Sequence, residues 1–248
     1  MLWPAMAWAA DFTREQLAAM IAAQPGQPLQ LAGRSLAGLD LSRLDFTGAS
    51  LHGADLSQAN LYAAKFAGAD LTGANLAGAN MAIMNVIHAD LSDANLSGAQ
   101  MFGLVTSRGM ETTRQEAPTL RRANLSGARI VSRLGYADLR GANLAGAQMD
   151  ADMHNQSMGL MRAEFPSADL SGANLAGAHL GHALLRFTNL SGADLRGANL
   201  ADADMIGANL TGADLTGADL ARADLQQAKL GGAKGLAGAP ANAAPAAP

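Results

Sequence analysis

The amino-acid sequence predicts an all-β solenoid: a rod wound from a chain that turns a corner every five residues. Three observations predict it. An apolar residue recurs at every fifth position through two long tracts, alanine stands two residues before most of these centres, and polar residues with glycine fill the steps between. Five residues of α-helix advance about 500°, so the centres would spiral around the axis and form no stripe. On a straight strand an odd spacing sends alternate centres to opposite faces. Only a chain that bends once per repeat keeps them all inside.

The first tract runs unbroken for fifteen centres, Leu31 to Met101, with Phe46 and Phe66 among them. A second set of fifteen runs from Leu160 to Leu230. Between them lie Leu120, Leu125 and Ile130, then Leu139, Leu144 and Met149. The alanine two positions earlier points inward by period-2 alternation, and the intervening Asp or Asn points out. Glycine near each corner supplies the backbone freedom a turn requires. The unit reads A-(D/N)-L-x-G.

In this unit and its phase the chain resembles the pentapeptide-repeat family, over Leu29 to Leu230. The resemblance implies a right-handed quadrilateral parallel β-helix with four repeats per coil. About nine coils spaced by ~4.8 Å would make a rod of roughly 40 Å. Residues twenty apart would then share a column, which places Phe46 over Phe66 and Val86 next, and stacks Asp194 on Asp214 and Asp204 on Asp224.

Each remaining segment follows from its composition. Residues 1–10 are an apolar leader or the remnant of a signal peptide, since Ala7-Trp8-Ala9 has the small-x-small form of an export cleavage site. The chain is cytoplasmic as written, and periplasmic if residues 1–9 end a signal peptide. Residues 11–28 form a capping helix: Thr13 with Gln16 makes a capping box, Phe12 and Leu17 a hydrophobic staple, and Gln24-Pro25-Gly26 a stop. Such a helix covers the open edge of a first coil. Residues 29–232 are the solenoid, with loops near 102–119, 131–138 and 150–159 where the five-step phase breaks. Residues 233–248 are a disordered Ala/Pro tail.

Chemistry is sparse. The chain lacks cysteine, which removes disulfides and thiolate metal sites. No run of about 18 apolar residues spans a membrane. Stacked aspartates lie on a convex surface with no cleft around them, and His179-x-x-His182 lacks a third ligand. The expectation is no catalytic residue, no metal and no cofactor: the chain is not an enzyme. The net charge of −4 argues against direct nucleic-acid binding. The candidate partner-binding residues are those of the first loop and the basic middle: Arg108, Glu111, Arg114, Glu116, Arg121, Arg122, Arg129 and Arg133. Leu120 to Met149 holds five arginines against Asp138, while each flanking tract is net −3.

The function expected is a non-enzymatic scaffold whose flat faces bind an unidentified protein. The resemblance adds an alternative, because some members look like duplex DNA, bind type II topoisomerases such as gyrase, and protect them from quinolones. The arginine-rich middle departs from a continuous acidic face, and the tail carries little apolar surface for dimerisation.

Overall fold

The computed structural model describes residues 10–109, 112–151 and 162–236. The apolar leader, most of the tail and nearly all of the loop expected near 150–159 therefore lie outside the described residues, as do Glu111 and Leu160. The chain opens with helix α1 (Arg14–Ala23). Both halves of the Thr13–Gln16 capping box form. Leu17 is buried against the first coil, and Phe12, Met20 and Ile21 are partly buried on it. Arg14 donates to the Asp40 carbonyl at 2.6 Å and the Ser42 carbonyl at 2.9 Å. Asp11 exchanges bonds with Ser35, its amide donating at 2.7 Å and its carboxylate accepting at 2.9 Å. The capping segment thus satisfies backbone groups that the first coil would otherwise expose.

Beyond α1 the chain winds in coils of four five-residue steps. Four parallel ladders run along it: Gln30 to Lys229, Ser35 to Lys234, Asp40 to Asp219, and Asp45 to Asp224. In the regular tracts each rung joins residues twenty apart, such as Ser50↔Asp70. Short strands appear only on the third ladder, where β1 (Gln100–Phe102) pairs in parallel with β2 (Arg129–Val131).

Most corners are built alike. The carbonyl of the apolar centre accepts from the alanine amide three residues on, as in Ala49 to Phe46 at 3.0 Å. The residue two past the centre has positive φ, for example Gly48 at 68°. This is the geometry of a type II turn. The Asp or Asn before each centre also turns its side chain onto the corner: Asp40 Oδ1 accepts from the Ser42 amide at 3.0 Å. Asparagines bond to the coil before as well. On the second ladder Asn75 donates to Asp55, Asn95 to Asn75, Asn124 to Asn95, Asn143 to Asn124 and Asn174 to Asn143, at 3.0–3.2 Å. An amide both donates and accepts and so continues a ladder, whereas an ionised carboxylate only accepts and starts one.

Leucine, alanine and a few larger centres fill the interior. The Phe46 and Phe66 rings stack with centroids 4.9 Å apart, as column matching predicts.

The structure departs from expectation in three places, two of them in the irregular middle. The first loop starts later than Phe102: Val105 still pairs with Asn85, and Thr106 takes a buried centre position at 3% exposure. Its hydroxyl donates to the Arg133 carbonyl at 3.0 Å, which removes the cost of burying it. The loop expected near 131–138 is a shortened step of the coil. Leu134 is fully buried, Arg133 pairs with Glu164 and Asp138 with Asp169. Only four residues separate Arg129 from Arg133, and the fourth ladder has no rung between Val105 and Arg133. Ser132 fills in, its hydroxyl donating to the Met101 carbonyl at 2.7 Å and accepting from the Leu104 amide at 3.1 Å. The coil also continues past residue 232, because Lys234 pairs with Asp214. Ala233 and Lys234 occupy the alanine and polar places of a further repeat.

Among the described residues no helix is long and apolar enough to cross a membrane.

Candidate interaction face

Both insertions border the fourth ladder. The first leaves after Thr106 and rejoins the first ladder at Thr119; the second lies between Gln148 on the third ladder and Glu164 on the fourth. The one-residue shortening falls on the same side, between Arg129 and Arg133. Irregularity in the repeat therefore converges on one face of the rod.

Inside the first loop, Glu116 is an organiser. It accepts from the Thr113 hydroxyl at 2.9 Å and the Arg108 amide at 3.2 Å. These bonds, Thr113's first, hold its carboxyl below the usual range. Arg114 lays its guanidinium over the Tyr136 ring, 5.5 Å from the centroid. Arg133 stands on the fourth ladder, its Nε 3.3 Å from Glu164, and Arg162 approaches the other oxygen of Glu164 at 3.8 Å.

The remaining candidates lie elsewhere around the same level. Arg121 and Arg140 grip Asp138 from two sides, at 2.5 Å and 2.7–2.9 Å. Partial burial raises the Asp138 pKa, and the hydrogen bonds from Arg140 and Arg121 outweigh it, leaving a value of about 2. Arg122 forms a bidentate pair with Asp93 at 2.6–2.7 Å, which lowers the Asp93 pKa and raises that of Arg122. Arg129, on the third ladder, stacks on Phe102 with 5.3 Å to the centroid. Glu111 apart, which lies outside the described residues, the candidates thus stand on different sides of the rod and do not form one patch. Three counter-ions, Asp93, Glu164 and Asp169, come from coils outside residues 120–149, so a charge count along the sequence overstates the field of the middle.

A groove of about 470 Å³ lies on the fourth face, lined by Thr112, Arg133, Gly135, Tyr136, Glu164, Pro166 and Leu184. Arg133 was singled out from the sequence; Tyr136, Pro166 and Leu184 were missed, as was Phe187 at the corner after Leu184. Their signal was departure from the repeat. Leu184 occupies a place that usually holds Asp or Asn, and Tyr136 and Phe187 occupy corner places that usually hold glycine, with φ of 59° and 57°. They are among the most exposed large apolar side chains, at 39% and 61%. The Phe187 ring lies over Gly207, where an added Cβ would come within 2.5 Å of it.

The other sequence candidates disperse. His179 faces Asp150 at 3.3 Å and His182 faces Asp202 at 3.7 Å, so the two histidines share no ligand. Among the described residues no group of three or more His, Asp or Glu is placed to hold a metal ion. Asp194↔Asp214 and Asp204↔Asp224 stack as expected, each stack bordered by an arginine: Arg196 on Asp194 and Arg186 on Asp204.

Comparison with known proteins places these features in a family. Pentapeptide repeats match in eight copies, over residues 30–62, 64–103, 163–200 and 198–234. Among curated proteins none matches. HetL of the cyanobacterium Nostoc sp. strain PCC 7120, a pentapeptide repeat protein involved in heterocyst differentiation regulation, is similar at 26% identity and a TM-score of 0.35. That similarity covers 90% of this chain and 93% of HetL. QnrB1, a plasmid-mediated fluoroquinolone resistance protein, is similar at 20% identity and a TM-score of 0.31, over 84% of this chain and 91% of its own. Rfr23 of the cyanobacterium Cyanothece 51142, another pentapeptide repeat protein, is 28% identical with a TM-score of 0.23, over 64% and 88%. With its repeats matched over more than half its length, the chain belongs to the pentapeptide-repeat family.

Proposed function

We propose that the chain is a non-enzymatic scaffold, a right-handed quadrilateral β-helix whose outward faces bind a protein partner. One observation carries the reading. Leucine and alanine columns consume the interior, so chemistry-bearing side chains are held outward in columns of fixed spacing, on a surface suited to contact. The family match indicates no catalytic family. Topoisomerase binding by duplex mimicry is favoured less, because Arg121, Arg122, Arg133 and Arg140 interrupt any continuous acidic face.

The test is site-specific photo-crosslinking in cells, with the probe placed in turn on each of the four faces. A scaffold gives crosslinks to one protein concentrated on one face; crosslinks scattered evenly over all four would overturn it. A gyrase supercoiling assay separates the alternative: a change in activity or quinolone sensitivity would replace a general scaffold with a topoisomerase-binding protein.

A further inference from the structure

We propose that the groove on the fourth face binds an extended acidic segment of another protein, anchored by aromatic or aliphatic side chains. This rests on the scaffold reading and gives its partner a chemistry.

The apolar part of the surface is unfavourable in the isolated chain on two counts. Tyr136 and Phe187 hold left-handed backbone conformations that cost a non-glycine residue about 1–2 kcal/mol. Phe187 remains 61% exposed and Tyr136 39%, so burial within the chain offsets only part of that cost. Other corners carry polar residues at positive φ, such as Arg43 and Gln58, so what distinguishes Tyr136 and Phe187 is apolar surface left outward at that position. Leu184 adds an outward leucine on a ladder whose neighbours at that position are Glu164 and Asp204. Tyr136 lines the groove and Phe187 stands outside it at the corner after Leu184, over Gly207; aromatic side chains are the usual anchors of protein recognition.

Charge selects the sign of the partner. On this face carboxylates lie deep and guanidinium groups lie outermost: Arg133 is 67% exposed above Glu164 at 22%, and Arg186 51% above Asp204 at 21%. Arg114, spread over Tyr136, and Arg162, against Glu164, add two more cations at the rim. A partner approaching this face meets guanidinium groups first, and their planar forks pair with carboxylates. An acidic segment satisfies both parts: its carboxylates meet the arginines while its apolar side chains cover Tyr136, Leu184 and Phe187.

The corner conformation makes a clean test available. Glycine is the residue best suited to positive φ, so Tyr136→Gly with Phe187→Gly removes the apolar surface and relieves the backbone. The probe is a short fluorescein-labelled peptide with a leucine-phenylalanine pair between glutamates, read by fluorescence anisotropy on the full chain. Controls replace the glutamates with lysines or the apolar pair with alanines. The expected result is binding of the acidic peptide alone, weakened about tenfold by the double glycine variant and about tenfold by Arg133→Glu with Arg186→Glu. Added salt should weaken it further. Circular dichroism of the glycine variant should match the parent and its melting point should be no lower, which confines the loss to the surface.

Equal binding by the glycine variant, preference for the lysine peptide, or preference for duplex DNA would each overturn the proposal. So would sedimentation showing that this face pairs two copies of the chain. If the glycine variant still crosslinks its cellular partner through another face, the groove is excluded and the scaffold stands. Crosslinks from the parent chain scattered over all faces would remove both.

Discussion

Replacing Leu134 with alanine asks whether residues 131–138 are interior or surface. In a surface loop the change is worth less than about 0.5 kcal/mol. Leu134 is fully buried and lines a gap in the core too narrow for water, bordered by Met81, Val86, Leu104 and Pro118. Truncation of a buried leucine removes its transfer free energy and leaves a cavity, together about 2–5 kcal/mol. The upper half of that range applies, because the Ser132 bonds to Met101 and Leu104 pin the backbone and hinder collapse. A loss of about 3–4 kcal/mol corresponds to a melting point lowered by roughly 6–16 °C in a chain of this size. Urea unfolding followed by circular dichroism gives the free energy, and hydrogen exchange shows where it is lost. The protection of the coils around Leu134 should fall first, since each coil leans only on its neighbours. Leu184→Ala, on the outer face, is the control and should cost under about 1 kcal/mol. A Leu134→Ala chain as stable as the control would refute the shortened-step reading and restore a loop.

Other perturbations probe the polar framework. The depressed pKa of Asp138 contributes stability that is present above the unfolded value near 3.8 and lost as pH falls from there through about 2. Asp138→Asn should therefore flatten the stability profile between about pH 4 and 2, measured as urea midpoint against pH. Asn95→Asp places a carboxylate against the Asn75 carbonyl oxygen, where a donor now stands, and should cost about 1–3 kcal/mol at neutral pH. Arg122→Ala breaks an exposed bidentate pair with Asp93 and should cost no more than about 1 kcal/mol, less at high salt. Gly207→Ala should destabilise by about 1–2 kcal/mol through positive φ and a clash with Phe187, and Phe187→Gly should restore part of it.

The fold was legible because its signal is a period. Thirty-odd centres at one spacing state a geometric condition that only a turning chain satisfies, and capping residues Thr13 and Gln16 announced α1 in the same local way. Thr106 escaped because a hydroxyl hides a centre whose polarity is answered by Arg133, twenty-seven residues away. Leu134 escaped because one missing residue shifts the phase, so that a break in rhythm looks like a loop. The interaction face was legible only in outline. The first loop and its arginines stood out, but the salt bridges that cross from coil to coil join residues about twenty to thirty apart and leave no trace in a sliding window.

By itself the sequence determined the solenoid, the inward and outward sides of the regular repeats and the helix that closes one end, because each depends on five-residue or helical spacing alone. The tertiary structure decided what shares a face: that both insertions border the fourth ladder, that Tyr136 and Leu184 line one groove with Arg133, and that Arg121, Arg122 and Arg129 do not. The physical reason is the register between coils, which shifts from twenty residues to twenty-nine, nineteen and thirty-one across the irregular middle. Those shifts choose neighbours, and no local pattern encodes them.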